Sequence, residues 1–283
     1  MIDPLRPPRA RLGDFELVLL SDGTYVADGG AMFGVVPKSL WSRRVPADAE
    51  NRITCGLNTL LVRTGKYNVV IETGIGPKLT PRMAGHFHPQ VKLMESFAAA
   101  GVSPDEIDVV INTHLHFDHC GWNTRLQDGK PVSTFPRARY FFQQGELDHA
   151  HEQHERDRVS YLTDNYDPLV RNGQAEVYRG EREIVPGISV RLSPGHTRDH
   201  QIVIIESGGS TACYIGDTVP TSAHVDPGWV MAYDLYPLET IASRRNLYAE
   251  AVPRQWLVVF THDPVIPWAY IEEVEGKFRP RPV

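Results

Sequence analysis

Cysteine is scarce in this 283-residue chain, which has three in all, at positions 55, 120 and 213. An odd number at such wide spacing makes no disulfide framework and supplies no Cys-x-x-Cys zinc knuckle. Long apolar runs are also missing. The longest candidates are short stretches such as Ile202 to Ile205 and Leu257 to Phe260, far below the roughly 20 residues a membrane span needs. The opening MIDPLRPPRARLGDF has basic residues but no apolar stretch of export length, so no secretory signal is read there and a reducing cytoplasm is the expected location. Basic residues are outnumbered, 29 against 35 acids, for a net charge of −6. They are scattered rather than gathered into the basic face that phosphate neutralisation requires, which disfavours a nucleic-acid partner. Hydrophobic residues at 41% and charged residues at 23% are ordinary globular values and exclude a disordered or collagen-like chain.

Residues 1–12 hold three prolines and three arginines and read as an extended arm, with one domain expected over 13–283. The first strand is expected at Phe15 to Leu20, ended by the turn signal Ser21-Asp22-Gly23. Asn58 to Arg63 and Asn68 to Ile71 read as a hairpin. Gln90 to Ala100 reads as a helix stopped by Gly101. Val109-Val110-Ile111 is β-branched throughout, as a strand buried on both faces should be. Further runs of this kind are Tyr140 to Gln143, Ile188 to Leu192, Gln201 to Ile205, Thr211 to Ile215 and Trp256 to Phe260. Pro237 to Val252 carries apolar residues at helical spacing, with Arg244, Arg245 and Glu250 at other positions, and reads as a helix on a sheet. The polar stretch around 145–170 reads as a helical insertion or lid. Its His149, His151 and His154 lie beside acids and arginine on a face best taken as solvated, and His86 and His88 are read as ordinary loop residues.

The chemistry is concentrated in Thr113-His114-Leu115-His116-Phe117-Asp118-His119, directly after the Val109 to Ile111 strand. With 12 histidines in the chain, composition alone would produce HxHxDH in only about one such sequence in a thousand. At a fraying strand end, residues two apart face the same way, so His114 and His116 can share one metal. The chain then turns, and Asp118 and His119 can serve a second. His196 in Ser193-Pro194-Gly195-His196-Thr197, Asp217 in Gly216-Asp217-Thr218 and His262 in Thr261-His262-Asp263 each follow a strand in the same way. Open α/β sheets bind ligands at that edge. Five histidines and two carboxylates suffice for two divalent ions if Asp217 bridges them. Zinc is expected, with iron, manganese or cobalt also suited to a His/Asp set. Cys120 reads as a small buried residue rather than a nucleophile.

Through HLHFDH (114–119), GHT (195–197), GDT (216–218) and THD (261–263), in that order over roughly residues 55–265, the chain resembles the metallo-β-lactamase fold superfamily. The resemblance implies an α/β fold, a four-layer αββα sandwich with a dinuclear site at one edge. It implies His114, His116 and His196 on the first ion, Asp118, His119 and His262 on the second, and Asp217 between them. Glu72 stands where the family usually places an aspartate, and by resemblance it would orient a ligand histidine. Within the superfamily the chain is most similar to quorum-quenching N-acyl-homoserine lactonase-like hydrolases, through its length, GGAMFGVVPKSLW (29–41) and PGHTRDHQ (194–201). Pro220 stands where those lactonases carry a tyrosine, and His224, Tyr233 and Tyr25 are the candidates to replace it.

These features together lead to an expected metal-dependent hydrolase that opens an ester or lactone with a metal-bridging hydroxide, Asp118 being the catalytic proton carrier. Phe33, Trp122 and His224 are expected to touch the substrate. The partner is then a small molecule, with neither membrane nor nucleic acid involved, and a homodimer is possible. Alternatives are thioester hydrolysis of the glyoxalase II type, phosphotriester hydrolysis and, from another class, a metal-binding scaffold without activity. The absence of cysteine ligands and the open coordination positions expected of such a site favour the enzyme.

Overall fold

Runs of β-branched and aromatic residues recur along the chain, and in the computed structural model, which describes residues 2–283, they become two seven-stranded sheets. The first sheet holds β1 (Arg9–Leu12), β2 (Phe15–Asp28), β3 (Arg52–Arg63), β4 (Asn68–Ile71), β5 (Val109–Ile111), β8 (Arg139–Gln143) and β9 (Ala175–Tyr178), in that order. The interrupting pair β6 (Thr124–Gln127) and β7 (Lys130–Ser133) forms a separate hairpin. The second sheet runs in chain order through β10 (Arg182–Val185), β11 (Ile188–Leu192), β12 (Gln201–Ser207), β13 (Ser210–Tyr214), β14 (Leu257–Val259), β15 (Trp268–Val274) and β16 (Lys277–Pro282). Most pairs are antiparallel, but β4–β5, β5–β8, β8–β9 and β13–β14 are parallel. Parallel neighbours need long crossovers. α1 (Gly29–Phe33) and α2 (Lys38–Trp41) lie between β2 and β3, α3 (Pro81–Phe87) and α4 (Leu93–Ala100) bridge β4 to β5, α6 (Gln144–Glu152) and α7 (Asp167–Arg171) bridge β8 to β9, and α8 (Pro237–Ala251) bridges β13 to β14.

Strand alternation explains the layering. Leu17, Leu19, Leu60, Val62, Ile71 and Ile111 point from the first sheet to Ile188, Val190, Val203, Ile205 and Val259 of the second, which closes the central core. Their neighbours Val18, Leu20, Leu61, Val70 and Val110 face the other way, against Leu93, Phe97, Leu147, Ala150 and Leu169 of the helices. On the second sheet Ile204, Cys213 and Val258 meet Leu247, Tyr248 and Ala251 of α8. Each sheet thus buries both faces, and the architecture is a four-layer αββα sandwich.

Four local expectations are corrected. The arm expected over 1–12 contains β1, whose Arg9 to Leu12 pair antiparallel with Val18 to Phe15; its first residue lies outside the described residues. Ser21-Asp22-Gly23 does not end the strand, because β2 continues to Asp28 with a register shift between Ser21 and Thr24. This irregularity turns the Asp22 carboxylate inward, where it accepts from the backbone N–H groups of Ile75, Gly76, Lys92 and Leu93 and from the Trp122 indole. Burial raises the Asp22 pKa to about 6 against those bonds. The helix expected from Gln90 starts at Leu93, where the same carboxylate satisfies the first free N–H groups. Arg244, placed by spacing off the apolar stripe of α8, is fully buried.

Candidate metal centre

The first strand to reach the site is β5. Past its end, His116 is the N-cap of the single-turn α5 (Phe117–Cys120), which carries Asp118 and His119. His196 follows β11, and a Cβ on the preceding Gly195, at φ +142°, would lie 2.4 Å from the Thr240 nitrogen. Asp217 follows β13 through Gly216, at φ +49°, where a Cβ would come within 2.6 Å of the His200 ring. Only glycine accepts both the backbone angle and the crowding at these two turns. His262 follows β14.

All seven residues expected as ligands converge. His114, His116 and His196 form one set whose donor atoms lie within 4.8 Å of one another, and Asp118, His119 and His262 form a second; His114, His119 and Asp217 form a third set that connects them. Asp217 faces both sides. Its Oδ2 is 3.3 Å from Nε2 of His196, and its Oδ1 is 3.2 Å from Nε2 of His262 and 3.6 Å from that of His119. On the second side Asp118 Oδ2 lies 3.6 Å from His262 Nε2.

Two of the ring nitrogens turned away from the cluster are anchored by hydrogen bonds: Nδ1 of His262 is 3.0 Å from the Gly56 carbonyl and Nδ1 of His196 is 3.0 Å from Asp234 Oδ1. Nδ1 of His119 faces Glu72 Oε2 at 3.2 Å as a charge contact without hydrogen-bond geometry. Protons on these Nδ1 atoms would leave the Nε2 lone pairs for a ligand. The other oxygen of Glu72 accepts from the Thr113 N–H at 2.5 Å, so this carboxylate ties β4 to the histidine segment.

The donors fit a pair of cations. Nε2 of His114 and Oδ1 of Asp217 are buried without a hydrogen-bond partner, an expensive state for polar atoms that a metal would relieve. His262 Nε2 and His119 Nε2 face each other at 3.2 Å, as do His196 Nε2 and His116 Nδ1 at 3.1 Å. The electrostatics agree. Burial and the surrounding imidazoles push His114 and His116 well below the usual histidine range, the neutral form that a ligand needs. Burial alone would do the same to His119, but Asp217, Asp118 and Glu72 outweigh it and hold its pKa well above that range. The cluster therefore attracts positive charge at this point. Burial pushes the Asp217 carboxyl up, yet His119, His262 and His196 together pull it well below the usual range.

The expected substrate contacts are corrected. A cavity of about 1040 Å³ opens over His116, Asp118, His196, Asp217 and His262, with walls that include Met32, Phe117, Leu162, Met231 and Leu235. None of Phe33, Trp122 and His224 lines it. Phe33 is stacked between Trp41 and His224 in the core behind Met32, the His224 ring bonds to the Met32 carbonyl and the Thr221 hydroxyl, and Trp122 is turned to Asp22. Of the three residues considered in place of the tyrosine absent at Pro220, Tyr25 and Tyr233 line the cavity. Only Tyr25 reaches the cluster, its hydroxyl donating to Asp118 Oδ2 at 3.1 Å. Cys120 is buried and its thiol donates to the Leu115 and His116 carbonyls.

Sequence reasoning passed over three supporting residues. Asp234 holds His196. His200 lies with its ring centroid 5.1 Å from that of His114 and accepts from the Asp217 N–H; burial lowers its pKa to about 3, which keeps it a neutral acceptor. Glu146 accepts from the Leu115 N–H, the Tyr161 hydroxyl and the Thr197 hydroxyl, which joins the two loops that carry His116 and His196. PGHTRDHQ already contained His200, but nothing in spacing marked Asp234 or Glu146. Replacing Asp234 by Ala is expected to weaken metal affinity about 10- to 100-fold, with Asp234→Asn in between; competition against a zinc chelator checks this, and unchanged affinity in the Ala variant would contradict the orienting role.

The model of the metallo-β-lactamase superfamily matches residues 53–277. An N-acyl homoserine lactonase from a Bacillus species is 27% identical over 50% of this chain and 48% of its own length, so this chain spans about half of that relative. Among solved structures, a probable metal-dependent hydrolase from Staphylococcus aureus superposes with a TM-score of 0.88 at 32% identity, covering 96% of this chain and 99% of that one. A dizinc quorum-quenching lactonase in complex with a product, N-hexanoyl-L-homoserine, has a TM-score of 0.83 over 99% of both chains, but at 20% identity it speaks for the fold alone. With the family's model covering strands of both sheets from β3 to β15 and all seven convergent side chains, the chain belongs to the metallo-β-lactamase superfamily.

Proposed function

We propose that the protein is a metal-dependent hydrolase of carboxylic esters whose preferred substrate is a lactone of the N-acyl-homoserine type. One observation carries this reading: two ligand sets meet on the two oxygens of Asp217 at the floor of a cavity with apolar walls. Relatives named N-acyl homoserine lactonase support it. When bound, two divalent ions, zinc by this proposal, would polarise the substrate carbonyl and acidify a water.

The side chains supply the rest. Asp118 is the least buried member of the cluster, its side chain 12% exposed toward the cavity, and it takes the proton of the attacking water and returns it to the leaving alkoxide. Tyr25 holds Asp118 Oδ2 in place by its hydrogen bond and packs edge-on against His262, with centroids 5.6 Å apart. The apolar walls accept an acyl chain and exclude bulk water from the reacting carbonyl.

The test is a panel of an N-acyl-homoserine lactone, a glutathione-type thioester and a phosphotriester assayed with zinc-loaded protein. The lactone is expected to have the highest kcat/KM, and a higher value for either rival would displace this reading. Asp118→Asn is expected to lower kcat by about 10²- to 10⁴-fold with two ions still bound, and full turnover in that state would remove Asp118 from the proton path.

A further inference from the structure

The cavity's mouth differs in charge from both its floor and the chain as a whole. Arg82 and His86 line it from α3, one helical turn apart, and Arg156 and Arg158 line it from the segment after α6. Arg82, Arg156 and Arg158 are exposed, and among the described residues none has a carboxylate within 4.0 Å, in contrast to the paired Arg52, Arg139, Arg179 and Arg182 elsewhere on the surface. Arg156 spends one N–H on the Ala232 carbonyl at 2.5 Å, which ties its segment across to the loop that bears Met231 and Tyr233. Three carboxylates line the same cavity. Asp118 and Asp217 belong to the floor, and Asp157 is buried with its Oδ2 2.7 Å from His149 Nε2. A chain of net charge −6 thus presents a basic rim, unpaired among the described residues, at an opening that leads to its His/Asp cluster. Between rim and floor the walls are apolar, with Met83, Phe87, Leu162 and Met231 among them.

A polar floor, an apolar shaft and a cationic rim match a molecule with the same three parts. We infer that the preferred substrate is an ester or lactone whose apolar acyl arm ends in an anion, a carboxylate or a phosphate monoester, held at the mouth by Arg82, Arg156 and Arg158 while the carbonyl lies over the metal centre. Guanidinium groups suit either anion because their paired N–H donors match its oxygens. The inference rests on the hydrolytic reading above and narrows it to a substrate class.

Three homoserine lactones of equal acyl length, ending in methyl, carboxylate and phosphate, are compared on the zinc-loaded protein. At about 20 mM salt at least one anionic substrate is expected to exceed the neutral one at least tenfold in kcat/KM, and this ratio should shrink several-fold at about 500 mM salt, where surface charges are screened. The two anionic arms tell which anion the rim prefers. The Arg82→Gln/Arg158→Gln double variant is expected to lower the anionic-to-neutral ratio at least about fivefold, whereas Arg11→Gln, an equal change of charge on β1, leaves it as it was. A ratio near one for both anions, or one that survives in the double variant, would overturn the inference while lactone hydrolysis stood. If no lactone is hydrolysed, the reaction proposed above fails, and the rim is judged by calorimetry with decanoate and decanedioate. The diacid is expected to bind at least about fivefold tighter, with the difference lost in the double variant; equal affinities would refute the rim's role.

Discussion

Asp217→Ala is expected to lower bound metal from two ions to one or fewer and to reduce hydrolysis at least about 10³-fold, since it removes the group both ligand sets share. Metal analysis of the purified variant, beside its kcat/KM on the lactone, measures both effects. The carboxylate stands 3.2 to 3.6 Å from three imidazoles on opposite sides, so no neighbour can take over its position. Removing metal from the unmodified protein with a strong chelator should act in the same direction on stability. A ligand present at about 1,000 times its Kd stabilises the folded state by about 4 kcal/mol, which for a chain of this size corresponds to a fall in Tm of roughly 7 °C on removal. An Asp217→Ala protein that retained two ions and most of its turnover would show that the bridge is not where the geometry places it.

The convergent His/Asp cluster is legible in the sequence because its signal is local. HLHFDH packs four candidate donors into six positions, and GHT, GDT and THD each follow a β-rich run, so the end of a strand could be recognised and one sheet edge inferred. The sandwich was legible for a related reason: strands buried on both faces, such as Val109 to Ile111, carry apolar residues at every position. Substrate contacts were not. Trp122 is placed by its nearness in sequence to HLHFDH and Phe33 by its apolar character, but the direction of a side chain is decided by what packs against it, and Trp41, His224 and Asp22 turn those rings away from the cavity. Tyr25 is 93 positions from Asp118 and Asp234 is 38 from His196. Such partners meet only after the sheets have formed. The turn signal at Ser21-Asp22-Gly23 was a true local preference that tertiary structure used differently, as an irregularity that aims Asp22 at five donors instead of reversing the chain.

Arg244→Met is expected to destabilise the protein by about 3 kcal/mol, with a Tm lower by roughly 5 °C, because four backbone carbonyls lose a charged donor at once. The guanidinium is fully buried. Its Nε donates to the Thr218 carbonyl at 2.6 Å, and Nη1 to those of His224, Asp226 and Trp229 at 3.0, 3.2 and 2.8 Å. Burial pulls the Arg244 pKa down, but an arginine stays protonated at neutral pH. One side chain of α8 thereby fixes the whole irregular stretch after β13, beginning one residue past Asp217. Met fills much of the same volume and satisfies none of those carbonyls, whereas Arg244→Lys keeps the charge but, as a compact donor group, cannot span the Thr218 and Trp229 carbonyls together. The expected order of stability in urea, measured on metal-saturated protein, is therefore Arg, then Lys, then Met. Because Thr218 adjoins the bridging carboxylate, metal affinity should fall in the same order. Unchanged affinity in a destabilised Met variant would mean that the loop's anchor and the metal centre are energetically separate, and a Met variant as stable as the parent would mean that water reaches those carbonyls once the guanidinium is gone.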